Sequence, residues 1–365
     1  MPNVLWIKHP DALRQRLDGS LSRIGLDTEF VRDRTYWPVL ALVQMAVADE
    51  ILLIDPLEPG MTDALTVWLT APNLLKIMHS AGEDLIAFKH TCGVVPAPLY
   101  DTQVAASLSG LGNGLGYQKL VEQITGITLP KGETRSDWLY RPLTPAQQEY
   151  AADDVRYLFE LHNVTMERLE ELGRLPWLQE DCERMLTIAR RDGGERWPHL
   201  SQRSAQLLDA PAQHRLLRLL RWRDAQACAS NKPRNWVLNN DLLLQLARHA
   251  PLSSSALQQQ LDAQPKAPRK LGRAIWQALT TELPDETDMP LAKLPSDNDK
   301  RILKRLQHAV AAHSAELALA DGILASRKHL ETLLEQGWTD SFGQWRRKEL
   351  EPILRPLLAD RLQGG

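Results

Sequence analysis

Cysteine is scarce in this chain: three in 365 residues, at Cys92, Cys182 and Cys228. Their odd number and wide spacing exclude a disulfide framework and a zinc site built from neighbouring thiolates. Any metal bound here must therefore sit among oxygen ligands or a lone imidazole. Long apolar runs are also missing. None approaches the roughly 20 residues that span a bilayer, and the opening Met1-Pro2-Asn3-Val4-Leu5-Trp6 lacks the basic-then-apolar layout of a secretion signal. The expectation is a soluble, cytoplasmic protein with no membrane contact. No obvious coiled coil or large apolar helix face is present, which favours a monomer.

The chain does carry enough apolar residues, 43%, for packed cores, and its length exceeds what one core usually organises. A net charge of -3 hides a division: residues 1–200 hold 19 Lys and Arg against 28 Asp and Glu, whereas the remainder hold 24 against 18. An acidic body followed by a basic half suits an enzyme acting on a polyanion, in which carboxylates hold metal and basic side chains attract phosphate. Ordinary surface variation between domains would give the same division.

The first 110 residues read as α/β. Leu13, Leu17 and Leu21 recur four apart, as on one helix face. Strand candidates follow at Ile24–Phe30, Val39–Val47 and Ile51–Ile54, the second alternating Val39, Ala41, Val43, Met45 and Val47 on one face. A helix at 61–69, a strand at 74–78 and a helix at 82–90 complete a mixed sheet covered by helices. The Gly-rich run Gly110-Leu-Gly-Asn-Gly-Leu-Gly116 matches no phosphate-cradling loop, since no strand leads into it and no Lys-Ser or Lys-Thr pair follows. The clearest helix start is Thr144, with Pro145 at the first helical position and Gln147 at the capping-box position; this helix is expected to run to Leu172, where Gly173 stops it. Gly193-Gly194 marks a linker. Three domains are expected: 1–192, 210–283 and 297–365, the last two small and all-helical.

Three acidic signals stand out. In a strand, residues two apart share a face, so Asp27 and Glu29 point into one site while Thr28 faces away. Asp84 opens a helix after His79-Ser-Ala-Gly82, where the helix dipole favours a carboxylate. Tyr150 and Asp154 lie four apart on the helix begun at Thr144, although periodicity alone leaves Asp153 or Asp154 as the inward group. Each has an ordinary explanation by itself: a surface pair, a helix cap, a buried aromatic beside solvated acids. Together they offer four carboxylates that could hold two Mg²⁺ or Mn²⁺ ions about 4 Å apart, the arrangement that activates water and steadies a leaving oxygen in phosphodiester hydrolysis.

These residues resemble the ribonuclease D family of the DEDD exonuclease superfamily, in its tyrosine-containing subgroup. The resemblance rests on Asp27-Thr28-Glu29-Phe30, on His79-Ser80-Ala81-Gly82-Glu83-Asp84, and on Tyr150 with Asp154. Leu129-Pro-Lys131, Ser136-Asp137-Trp138, Arg141-Pro142-Leu143 and Tyr100-Asp101-Thr102 also match. It implies an RNase H-like core with mixed sheet over residues 1–192 and removal of nucleoside 5′-monophosphates from the 3′ end of RNA. It further implies Asp27, Glu29, Asp84 and Asp154 as ligands of two divalent cations, with Tyr150 aiming the attacking water. Two helical HRDC modules, shared with RecQ-type helicases, are implied after the core, the first at 210–283 through Arg221-Trp-Arg-Asp224 and Arg234-Asn-Trp-Val-Leu238. Candidate phosphate contacts there are Lys232, Arg234, Arg269, Lys270 and Arg273. The family suggests tRNA precursors and other structured RNAs with 3′ tails as substrates. A DNA 3′ exonuclease, a nucleic-acid-binding scaffold with an inactive core, and a metal-dependent phosphomonoesterase are the competing readings.

Overall fold

The computed structural model describes residues 2–17, 21–130, 132–133 and 136–359. Lys131 of the matched connector and the last six residues of the expected third domain lie outside the described residues. Two compact units emerge. One comprises residues up to Val31, Pro38–Arg191 and Asp297 onward; the other comprises Arg32–Trp37 and Asp192–Ser296.

The first unit is built on β1 (Asn3–Ile7), α1 (Pro10–Arg16), β2 (Arg23–Val31), β3 (Val39–Val47), β4 (Glu50–Ile54), α2 (Met61–Leu69), β5 (Leu75–Met78), α3 (Gly82–Cys92) and β6 (Leu99–Asp101). The strands form one six-stranded sheet in the order β1-β4-β3-β2-β5-β6. Short connections make β2, β3 and β4 antiparallel neighbours, while the helical crossovers leave β5 and β6 parallel to β2. The mixed α/β body expected from the sequence is therefore present. β3 differs from its one-faced expectation: Leu40, Ala41, Leu42, Val43 and Met45 are all buried. Helices pack on both sides of this central strand, so each side of its pleat must be apolar.

Helices α4 (Thr102–Leu108), α5 (Tyr117–Thr125), α6 (Pro145–Arg156), α7 (Leu158–Glu171) and α8 (Leu175–Arg190) follow. Helix α6 opens with the expected reciprocal cap: Thr144 Oγ1 accepts from the Gln147 amide at 3.2 Å, and Gln147 Oε1 accepts from the Thr144 amide at 2.9 Å. The single helix expected to reach Leu172 is instead two, meeting at Tyr157. The Tyr117 hydroxyl donates to the Asp153 carbonyl at 2.9 Å and accepts from the Tyr157 amide at 3.1 Å. A side chain inserted into the helical ladder in this way ends one helix and starts another. Gly173, at φ 65°, stops α7 as expected.

The second unit is all-helical: α9 (Ala210–Ala229), α10 (Arg234–Val237), α11 (Asn240–Arg248), α12 (Ser254–Asp262) and α13 (Gly272–Thr280). Its own core gathers Leu216, Leu219, Leu242, Leu246, Leu257 and Ile275. Tyr36 belongs to this unit, donating its hydroxyl to Asp224 at 2.9 Å.

The tail, α14 (Asp297–Glu316), α15 (Arg327–Gln336) and α16 (Gly343–Ala359), groups with the α/β body. Leu306, Leu330, Leu350 and Leu354 enter the same apolar core as Leu178 and Leu186 of α8. A buried ion pair fixes the join: Arg346 donates to both Asp181 oxygens, at 2.6 and 2.8 Å. Amphipathic helices bury their apolar stripe wherever a matching face exists, and here that face is α8.

Candidate active site

Strand β2 carries Asp27 and Glu29 on the face covered by α6 and α7; Gly25, two residues earlier, lies against Leu158 of α7 and Ala46 of β3. Helix α6 presents Tyr150 and Asp154 to the same region. Helix α3 brings Asp84 in its first turn, and this carboxylate accepts a hydrogen bond from the Thr28 hydroxyl. The turn ahead of α3 is held firmly. Ser80 takes a left-handed φ of 58°, and the Asp101 carboxylate, itself the N-cap of α4, accepts from the Ala81 amide at 2.8 Å.

Burial raises all four carboxylates, and charge from others of the four adds to it at Asp27, Glu29 and Asp154. Burial, then the charges of Asp84, Asp154 and Glu29, pushes Asp27 well above the carboxylate range. Burial followed by Asp154 and Asp84 raises Glu29 to about 8. Burial also lifts Asp84 to about 7, against the lowering hydrogen bond from Thr28, and lifts Asp154 to about 7 with help from Asp153 and Asp84. Among the described residues, no ion pair neutralises any of the four. Among the described residues their charge thus has no cationic partner. The side chains share a field without closing into a ligand cage: among the described residues no group of three or more His, Cys, Asp or Glu is arranged to hold a metal ion.

The choice between Asp153 and Asp154 now has a geometry. Asp153 pairs with Arg156 at 2.9 Å, whereas Asp154 lies in the field of Asp84 and Glu29. Tyr150 is half-buried, and burial together with Asp154, Glu29 and Asp27 drives its phenol far above its usual range. His79 is a packed residue: its ring nitrogens meet Thr102 Oγ1 at 2.9 Å and the Leu115 carbonyl at 3.0 Å, and burial lowers its basicity. That contact also gives the Gly-rich run a place, since Leu115 belongs to it.

Three motif residues matched in the sequence without a catalytic role, Trp138, Arg141 and Thr28, find their places here, as does Gly132, which the sequence reading did not single out. Trp138 is buried beside Tyr150, ring centroids 6.0 Å apart. Its segment is pinned to the sheet by Arg141, which donates to Asp55 at 2.6 and 2.9 Å, to the Ala41 carbonyl at 2.6 Å and to the Trp138 carbonyl at 2.7 Å. Gly132 backs the tyrosine so closely that an added Cβ would stand 2.9 Å from Tyr150 Cδ2. Thr28 was expected to face away from the site, yet its hydroxyl reaches Asp84 from the other side of the strand. An uncharged polar residue inside a catalytic motif was the available signal.

The basic candidates all lie exposed on the helical unit. Lys232 and Arg234 sit at the α9–α10 connection, Arg269 and Lys270 in a turn before α13, and Arg273 on its first turn. Leu271 packs with Val237 and Ala227, which sets these two segments side by side. Arg234 is already engaged, donating to Asp224 at 2.5 Å and to the Tyr36 hydroxyl at 2.9 Å.

Comparison with known proteins agrees with this construction. Residues 7–170 match a 3′–5′ exonuclease family and residues 212–279 match the HRDC domain, so one such domain is identified after the nuclease body. A ribonuclease D of Xanthomonas oryzae pv. oryzae is 60% identical over 355 residues, which is 97% of this chain and 98% of the relative. A ribonuclease D of Pseudomonas paraeruginosa is 34% identical over 97% of both. The crystal structure of Escherichia coli RNase D, described as an exoribonuclease involved in structured RNA processing, matches with a TM-score of 0.84 at 30% identity, covering 98% of this chain and 99% of that one. With likeness of this degree along almost its whole length, the chain belongs to the ribonuclease D family and is a 3′–5′ exoribonuclease with an α/β nuclease body and an HRDC domain.

Proposed function

We propose that Asp27, Glu29, Asp84 and Asp154 hold two divalent cations, Mg²⁺ or Mn²⁺, and that the site so formed releases nucleoside 5′-monophosphates from the 3′ ends of tRNA precursors and other structured RNAs. The gathering of these carboxylates on β2, α3 and α6, where burial raises all four and Asp84 and Asp154 add their charge at Asp27 and Glu29, carries this reading. Carboxylates at least partly buried, with no counter-charge among the described residues, are a hard-oxygen donor set suited to these ions, and the scarce cysteines offer no softer competitor. When bound, such ions supply a nucleophilic water and offset charge on the leaving 3′ oxygen. The remaining roles fall to the chain. Tyr150 stays protonated at working pH, so its hydroxyl aims water by hydrogen bonding and does not act as a base. Trp138 and Gly132 fix the ring, and Thr28 and Asp101 fix the strand and helix that bear the acids.

The exposed Lys232, Arg269, Lys270 and Arg273 of the helical unit are read as phosphate contacts that position RNA without reading its sequence. We further read 297–365 as a second HRDC-like module. In support, α14 and α9 are both 20-residue helices, and the later helices α15 and α11 are capped by Ser326 and Asn239 respectively. Among the described residues no helix is long and apolar enough to cross a membrane, and a monomer working in the cytoplasm is the setting this reading expects.

The test is a time course on matched 3′-tailed RNA and DNA oligomers with Mg²⁺, resolving each product. Stepwise release of 5′-monophosphates, faster from RNA and absent in Asp27→Asn, is expected. Equal or faster DNA degradation would defeat the substrate assignment.

A further inference from the structure

Gln44 is the one amide in a run of β3 that is otherwise apolar from Val39 to Val47 apart from it. It is completely buried, and neither its Oε1 nor its Nε2 has a hydrogen-bond partner among the described residues. A buried amide of this kind is costly to the fold, and an apolar side chain of equal size would serve the core better. Stability therefore does not account for it.

Its position supplies another account. In the β2–β3 register Gln44 stands directly opposite Asp27, with Leu42 opposite Glu29 and Ala46 opposite Gly25. Directly opposed residues share a sheet face with Cβ atoms about 4.5–5.5 Å apart, within reach of a carboxylate for a side chain as long as glutamine. Helix α6, which bears Tyr150 and Asp154, packs over β3 as it does over β2. Asp27 in turn has no side-chain donor among the described residues.

We propose that Gln44 is a positioning residue: its amide, without a partner among the described residues, turns to donate to Asp27 when cations are bound and fixes that carboxylate's orientation toward them. The inference rests on the metal-ligand reading given above. A neutral donor suits this place. It can occupy one lone pair of Asp27 and leave the others for the cation, whereas a lysine would neutralise the charge that attracts the ion.

The test replaces Gln44 by methionine, which is close in volume and has no donor, with Gln44→Leu as a second variant should methionine fail to fold. Full-length protein is titrated with Mn²⁺ by calorimetry, melted in EDTA, and assayed for kcat and KM on a 3′-tailed RNA. The expected variant is at least as heat-stable as wild type in EDTA, binds Mn²⁺ about 10-fold more weakly, and loses kcat by a similar factor with KM for RNA unchanged. Wild-type Mn²⁺ affinity and turnover in a folded variant would overturn the proposal, and so would failure of both variants to fold, which would assign the amide to the core. If wild type itself neither binds Mn²⁺ nor releases nucleotides, the metal-ligand reading falls first. A responsive wild type with an unchanged variant sinks only the role of Gln44.

Discussion

The Thr28 hydroxyl donates to the Asp84 carboxylate, joining the acidic strand to helix α3 from the side of β2 opposite Asp27 and Glu29. Valine has nearly the shape of threonine and lacks the donor. Thr28→Val should therefore leave the core packed, free Asp84 to reorient, and lower turnover by about 10-fold. Loss of a hydrogen bond to a buried carboxylate should also cost about 1–2 kcal/mol of stability in chemical denaturation. Unchanged kcat in the folded variant would remove Thr28 from the site's support.

Gly132 offers a separate handle on Tyr150. Because an added methyl would stand 2.9 Å from Cδ2 of the ring, Gly132→Ala is expected to displace the tyrosine, and it adds no group against the four carboxylates. A shift of this size in a water-aiming group is expected to reduce kcat by about 10-fold or more. Calorimetry should find Mn²⁺ affinity unchanged. Steady-state kinetics that match wild type would argue against an aiming role for Tyr150.

Removing divalent cations should expose the repulsion within the acidic site. Carboxyl groups whose acidity is weakened by folding, here Glu29 to about 8 and Asp84 and Asp154 to about 7, bind protons more tightly when folded than unfolded. Their contribution is complete below the unfolded values near 4 and is lost as pH rises through about 7 to 8. In EDTA, wild type should melt at a lower temperature at about pH 9 than at about pH 6, and Mg²⁺ should offset that loss. Asp27→Asn, with one charge fewer, should melt higher than wild type in EDTA and respond less to Mg²⁺. An EDTA melting temperature lower than wild type would contradict this account.

The tail supplies a second pH dependence of the same sign. His313 of α14 meets Glu316 at 2.9 Å and Glu349 of α16 at 3.3 Å. The hydrogen bond to Glu316 raises its basicity most, burial opposes it, and Glu349 adds to it. A histidine raised on folding stabilises fully below its unfolded value near 6.5, and this stabilisation fades as pH climbs through the raised one. His313→Gln should thus destabilise the protein at about pH 5.5, by roughly 0.5–1 kcal/mol for a pair near the surface, and much less at about pH 8.5. Equal losses at both values, read by urea denaturation, would mean that the ring acts through packing.

The legible and illegible parts of this molecule divide by the range of the interactions involved. Strand and helix periods, and caps such as Thr144 with Gln147, are local, so β2, β3, α3 and the start of α6 could be placed from the sequence. The motif spacing put Asp27 and Glu29 on one strand face, and the structure sets that face in a shared field with Asp84 and Asp154. The break at Tyr157 was hidden because a hydroxyl 40 residues earlier in the chain, on Tyr117, makes it. The tail's grouping was hidden likewise. The apolar stripe of α14 or α16 reads the same whether it closes a separate module or covers α8, and the pairing of Arg346 with Asp181 spans 165 residues. Gln44 was visible as an amide in an apolar strand, but its meaning depends on its cross-strand partner.

The central claim is that Asp27, Glu29, Asp84 and Asp154 converge on bound cations. Anomalous diffraction from crystals soaked in Mn²⁺ tests it most directly. Two manganese peaks ligated by these four side chains are the expected result; peaks confined to other parts of the surface, with the four carboxylates left unligated, would contradict it.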